Sequence, residues 1–142
     1  MKVIIASDHA GYPLKEAIKK HLTERNAEYI DCGTDSTASC DYPVFAHALC
    51  EKLLAGEGDC GILVCGTGIG MSMAANKVKG IRAAVCSDYF STKFTRAHND
   101  ANVMCLGARV TGEGLALELV DVFLDTPFEG GKHLRRIQML EK

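Results

Sequence analysis

Two patterns of apolar residues alternate along the chain. Short, nearly unbroken runs occur at residues 2–6, 60–65, 81–86 and 103–106, and a shorter one at 28–32 closes on Gly33. These runs predict five strands. Those at 60–65 and 81–86 lack period-two alternation, as expected of strands covered on both faces. Between them, apolar residues recur at helical spacing. Leu14, Ala17, Ile18 and Leu22 share one face, with Lys15, Lys19 and Lys20 elsewhere and Pro13 in the first turn. Phe45, Ala48, Leu49 and Leu53 form a second stripe after Pro43, ended by Gly56 and Gly58. A third helix runs from the glycines after Cys65 to about Lys77, and Gly80 breaks it. Ser87 or Asp88 caps a fourth, carrying Phe90, Phe94 and Ala97. Leu115, Leu119, Val122 and Phe123 mark a fifth. The tail holds a Gly130-Gly131 hinge and a short basic helix, and Thr34 to Asp41 reads as a polar loop.

Strands alternating with helices predict an α/β fold, a parallel sheet with helices on both faces. With 142 residues and no repeat, linker or low-complexity segment, residues 1–142 read as a single domain. In such sheets ligands bind beyond the carboxyl ends of the strands, near a switch in strand order. Asp8-His9 follows the first strand, Cys65 and its glycines the third, and Gly107-Ala108-Arg109 the fifth. His98-Asn99-Asp100 precedes the fifth strand, so the pattern does not by itself bring it to that cleft.

Composition narrows the chemistry. Hydrophobic residues make up 47% and charged residues 24%, ordinary for a globular chain. A net charge of -2 gives no overall attraction for nucleic acid or an acidic membrane, so anion recognition must be local. No apolar run is long enough to span a bilayer, and the start is too short for a secretory signal, which predicts a cytoplasmic protein. The 7 cysteines form no Cys-x-x-Cys pair. That argues against a zinc ribbon or thioredoxin-type site and suits a reducing compartment.

Gly66-Thr67-Gly68-Ile69-Gly70 joins a buried strand to a helix. Glycines permit close backbone approach, and the helix N-terminus offers unpaired N–H groups, so the loop favours an anion: a phosphate or a developing oxyanion. It is not a P-loop, which needs Gly-Lys-Ser/Thr. It is not a dinucleotide fingerprint either, because Met71 stands where glycine or alanine is required. Cys65, just before the loop, would feel the helix dipole, which favours a thiolate; it reads equally as one more buried thiol. His9 could be oriented by Asp8, or the pair could cap the next helix. His98 is a general-acid candidate, or an exposed histidine at a helix C-terminus. His21 and His47 sit within helical patterns. Lys132, His133, Arg135 and Arg136 form a basic cluster, either a solvated face or a phosphate site. These residues reach an anion site with a thiolate base and an imidazole acid, but no substrate.

A set of blocks in fixed order goes further. Ser7-Asp8-His9-Ala10-Gly11, Asp41-Tyr42-Pro43, Cys65 to Gly70, Ala74-Ala75-Asn76-Lys77, Gly80-Ile81-Arg82-Ala83, Arg96 to Val103 and Gly107-Ala108-Arg109 cover nearly the whole chain. With them the chain resembles ribose-5-phosphate isomerase type B, of the family that includes the allose- and galactose-6-phosphate isomerases. The resemblance implies a three-layer Rossmann-like fold with a five-stranded sheet and a C-terminal helical tail. It implies interconversion of ribose 5-phosphate and ribulose 5-phosphate with no metal or other cofactor. It also implies a homodimer, or a higher oligomer, with sites shared between subunits. By position, Cys65 is the base between C2 and C1, Thr67 the proton-shuttling hydroxyl and His98 the ring-opening group. The amides of Gly66, Thr67, Gly68, Ile69 and Gly70 form the oxyanion hole. Asp8 and Asn99 bind the sugar, and His9, Arg109 and Arg136 bind phosphate, with Arg109 contributed across the dimer. Lys132 stands where family members often carry arginine; lysine keeps the charge and loses the planar fork, which weakens a direct phosphate contact. Two other readings stay open: a hexose-6-phosphate isomerase, and a non-catalytic flavodoxin-like ligand-binding module.

Overall fold

The computed structural model describes residues 1–141. The elements are β1 (Lys2–Ser7), α1 (Tyr12–Glu24), β2 (Glu28–Asp31), α2 (Tyr42–Leu54), β3 (Cys60–Cys65), α3 (Ile69–Asn76), β4 (Ala83–Val85), α4 (Tyr89–Asn99), β5 (Val103–Gly107), α5 (Glu113–Asp125) and α6 (Lys132–Gln138). The five strands are parallel, in the order β2-β1-β3-β5-β4. β1 thus has β2 on one side and β3 on the other, so the strand order reverses between β1 and β3. That is where a ligand crevice opens in sheets of this kind.

Alternate residues of each central strand feed two cores. Val3, Ile5, Ile62, Val64, Met104 and Leu106 pack with α1 and α5 on one face. Ile4, Ala6, Leu63, Cys65, Val103 and Cys105 pack with α2 and α3 on the other. This is the three-layer fold expected, with α4 lying against α5 and α6. Burial on both faces explains why β1, β3 and β5 read as unbroken apolar runs.

Four details depart from the sequence pattern. The fourth strand shrinks to Ala83–Val85 and is not buried along its length, because it is an edge strand; only the flanking Ile81 and Cys86 are buried. Lys15 is fully buried rather than on the polar side of α1. Its Nζ pairs with Asp31 Oδ1 at 2.7 Å and donates to the Thr34 carbonyl, tying α1 to the end of β2. The buried positions of α2 are Ala46, Leu49 and Cys50, so its face is rotated and Phe45 and Leu53 lie only at the rim of the core. In α4 the buried residues are Thr92 and Ala97, while Phe90 is 70% exposed. Of the two cap candidates, Asp88 is the one used: it accepts the Ser91 N–H at 2.7 Å.

Candidate active site

The loop after β3 is built by three close approaches. Gly68 has φ +79°, and a Cβ there would lie 3.1 Å from the Leu106 backbone. A Cβ on Gly70 would lie 2.9 Å from the Tyr42 ring. One on Gly66 would lie 3.3 Å from Arg109 Nη1. The alternate glycines are therefore the positions where β5, α2 and Arg109 press on the loop. Arg109 is fixed there by its own backbone: its N–H donates to Gly66 O at 3.0 Å, after Ala108 N–H donates to Cys65 O at 2.8 Å. The resemblance gives Arg109 across a dimer; in the fold its guanidinium lies over Gly66 of its own chain.

Cys65 is the last residue of β3 and is 5% exposed. Its Sγ accepts the Gly68 N–H at 3.1 Å. A sulfur accepting an amide hydrogen at a helix N-terminus sits where negative charge is favoured. Elsewhere in the core, burial pushes the thiols of Cys50 and Cys86 up to about 11 and that of Cys60 up to about 12. The exposed Thr67 accepts the Ile69 N–H on Oγ1 at 3.2 Å. Two of the five amides expected to form an oxyanion hole, those of Gly68 and Ile69, are therefore already engaged within the loop. The Gly70 amide, in the first turn of α3, has no partner within the helix.

Beyond β1, Asp8 is 6% exposed and accepts the Gly11 N–H on Oδ1 at 3.0 Å. It does not orient His9. That is done by Cys40, whose N–H donates to His9 Nδ1 at 3.2 Å. With Nδ1 accepting, the neutral ring carries its proton on Nε2, a donor suited to an anionic oxygen. The loop from Thr34 to Asp41, read from sequence only as a connection, thus sets the tautomer of a site histidine.

The remaining predicted residues form a second group. Around His98, the Phe94 ring lies at 4.8 Å and the His133 ring is stacked at 4.1 Å, tilted by 10°. Glu129 Oε2 lies 3.5 Å from Nε2 of both histidines. Burial and then the neighbouring His98 lower the pKa of His133; Glu129 opposes them, and Lys132 and Arg136 add to the lowering. His98, Asn99, His133 and Arg136 line a cleft of about 260 Å³ together with Ile137 and Leu140. Lys132, exposed at the start of α6, is not among its lining residues. Glu129 was not singled out from sequence. Its signal was spacing to His133 across a glycine hinge, which means nothing until the hinge is folded.

The two groups lie at opposite ends of the sheet. Cys65 is level with Gly107, whereas α4 ends just before Val103 at the start of the same strand. That strand alone rises roughly 13 Å between Val103 and Gly107. Within one chain, Asp8, His9, Cys65 to Gly70 and Arg109 come together at one end. His98, Asn99 and Arg136 come together at the other.

Comparison with known proteins concerns the chain as a whole. A family model described as Ribose/Galactose Isomerase matches residues 3–140. The chain is 54% identical to the protein YwlF of Bacillus subtilis (strain 168), covering 96% of this chain and 93% of that one. It is 47% identical to ribose-5-phosphate isomerase B of Escherichia coli (strain K12), covering 98% and 93%. Among solved structures, ribose-5-phosphate isomerase B of Clostridium thermocellum superposes with a TM-score of 0.98 at 49% identity, covering 99% of this chain and 95% of that chain.

Proposed function

The chain belongs to the ribose/galactose isomerase family, and on that premise we propose that it interconverts D-ribose 5-phosphate and D-ribulose 5-phosphate through a cis-enediolate. The observation that carries this reading is the Cys65 sulfur at the mouth of the β1/β3 crevice, holding the Gly68 N–H at 3.1 Å beside a glycine-built loop.

The mechanism follows from what each group can do. His9 Nε2–H and the Arg109 and Arg136 guanidiniums bind the phosphate, which positions C1 and C2. His98 moves the proton that opens the furanose ring, and Asp8 and Asn99 hold the sugar hydroxyls. The Cys65 thiolate takes the C2 proton. The negative charge passes to the sugar oxygen, where loop amides receive it; one such donor is worth about 3 kcal/mol in the transition state. Thr67 relays a proton between the two sugar oxygens, and the Cys65 thiol returns its proton to C1. Lys132 contributes positive charge near the phosphate, without a bidentate contact.

One chain holds the two groups at opposite ends of its sheet, so the working enzyme is read as a homodimer in which His98, Asn99 and Arg136 of one subunit meet Cys65 of the other. Exposed apolar residues beside the loop support this: Met73 is 63% exposed, Val44 62% and Ile69 49%. Burying them against a second copy removes apolar area from water. A single isomerase domain accounts for the family match along nearly the whole chain. The seven free cysteines favour a reducing compartment, and so a cytoplasmic location. Among the described residues no helix is long and apolar enough to cross a membrane.

The test is a coupled assay for ribulose 5-phosphate formed from ribose 5-phosphate, run with a chelator present and beside allose 6-phosphate. Turnover of the pentose is expected to dominate and to survive chelation. Cys65→Ala is expected to lose at least about a thousandfold in kcat while remaining folded. Preference for the hexose would move the assignment within the family. Near-normal turnover by Cys65→Ala would remove Cys65 as the base.

A further inference from the structure

We propose that His98, Glu129 and His133 bind a divalent transition-metal ion of the Zn²⁺ and Co²⁺ class, and that an ion held there inhibits the isomerase. The ligand atoms of these three side chains lie within 4.8 Å of one another. Both imidazole Nε2 atoms are 3.5 Å from Glu129 Oε2. A tetrahedral ion with bonds of about 2.0–2.1 Å has edges of roughly 3.3 Å between its ligands, so two of the three edges are nearly at their working length. The two rings are stacked at 4.1 Å and 10°, so one of them must turn out of the stack for both nitrogen lone pairs to converge on one ion. The Phe94 ring also packs against His98, at 4.8 Å between centroids, which lowers the entropy cost of ordering that donor.

The donor set selects the ion. Two imidazoles and one carboxylate suit Zn²⁺, Co²⁺, Ni²⁺ or Cu²⁺ and discriminate against Mg²⁺ and Ca²⁺, which prefer oxygen ligands. Three protein ligands leave at least one position for water, unlike the closed four-ligand sites that stabilise folds. Glu129 is exposed, and Lys132 and Arg136 bring positive charge nearby, so binding is reversible and weaker than at a buried structural site. The metal occupies the His98 nitrogen lone pair, which a proton donor and acceptor needs free. The inhibitory half of the proposal therefore rests on the assignment of His98 to ring opening.

The full-length protein, stripped of metal, is titrated with Co²⁺ by visible absorption and with Zn²⁺ by calorimetry. One ion per chain is expected, without a near-ultraviolet sulfur-to-cobalt band and equally in Cys65→Ala. Glu129→Gln and His133→Gln are each expected to weaken binding by more than about tenfold, and the double variant to abolish it. Far-ultraviolet circular dichroism checks that the variants are folded. Unchanged binding in the double variant, or a sulfur band removed by Cys65→Ala, would overturn the site. In turnover, Zn²⁺ at site-saturating concentration is expected to slow the cyclic substrate more than the open-chain form; equal rates with and without the ion would overturn the inhibitory claim. Binding is measured without turnover, so it stands or falls separately from the role of His98, which His98→Asn assayed on the two substrate forms tests on its own.

Discussion

At the scale of single residues, the same side-chain type takes opposite roles according to what surrounds it. Cys60 and Cys105 are sealed in the core and driven towards the neutral thiol, whereas Cys65 meets an amide hydrogen at a helix start. Lys15 is the reverse of the usual surface lysine. Its ammonium is buried, and Asp31 Oδ1 and the Thr34 carbonyl receive its hydrogens. Lys15→Met keeps the apolar stem but leaves the Thr34 carbonyl unpaired. Asp31 retains Lys19 at 2.9 Å, so the expected loss is about 2 kcal/mol, read as a lower urea midpoint. Asp31 also carries a pH signature. Burial opposes its ionisation, but hydrogen bonds from Lys15, Lys19 and the Gly33 N–H outweigh burial and hold its pKa below the ordinary 3.8. A depressed folded value means stability that is fully present above the unfolded pKa, about 4, and is lost as pH falls through the folded value. Unfolding free energy should thus drop on acidification below about pH 4, and the drop should be shallower in Asp31→Asn. A wild-type curve no steeper than that of the variant would contradict the pairing.

At the scale of elements, apolar runs, helical spacing and glycine breaks together identified the strands and helices in order, but not always which face was covered. The phase of α2 and the exposure of Phe90 depend on neighbours that lie far away in sequence. The glycine loop shows the same division. Its position between strand and helix follows from composition; the reason for each glycine follows only from packing against Tyr42, Leu106 and Arg109. Gly68→Ala tests that packing. A side chain at φ +79° and 3.1 Å from the β5 backbone strains the turn, with an expected cost of about 1–2 kcal/mol in stability. It should also disturb the N–H given to Cys65, so kcat should fall by more than stability alone explains. A variant that loses stability but keeps full kcat would show that this amide is not needed by the sulfur.

For the whole molecule, the decisive feature is that strand direction puts Cys65 and His98 at opposite ends of one sheet. A shared site predicts rescue between inactive partners. Cys65→Ala and His98→Asn, mixed in equal amounts and allowed to exchange subunits, should recover about a quarter of wild-type activity, because half the dimers are mixed and one of their two sites is intact. No recovery after verified exchange would place both residues in the same chain's site. Alternation of short apolar runs with helical stripes determined the parallel α/β architecture, since run length and a 3.6-residue period are local properties of the chain. The ordered motif blocks determined the family, and the full-length match closes the non-catalytic flavodoxin-like reading. Only the tertiary structure decided that Cys40 rather than Asp8 orients His9, that Arg109 lies over Gly66 of its own chain, and that Glu129 and His133 flank His98. Those contacts join residues far apart in sequence, or across a glycine hinge. Their distances are set by how helices pack on the sheet, which no local pattern encodes.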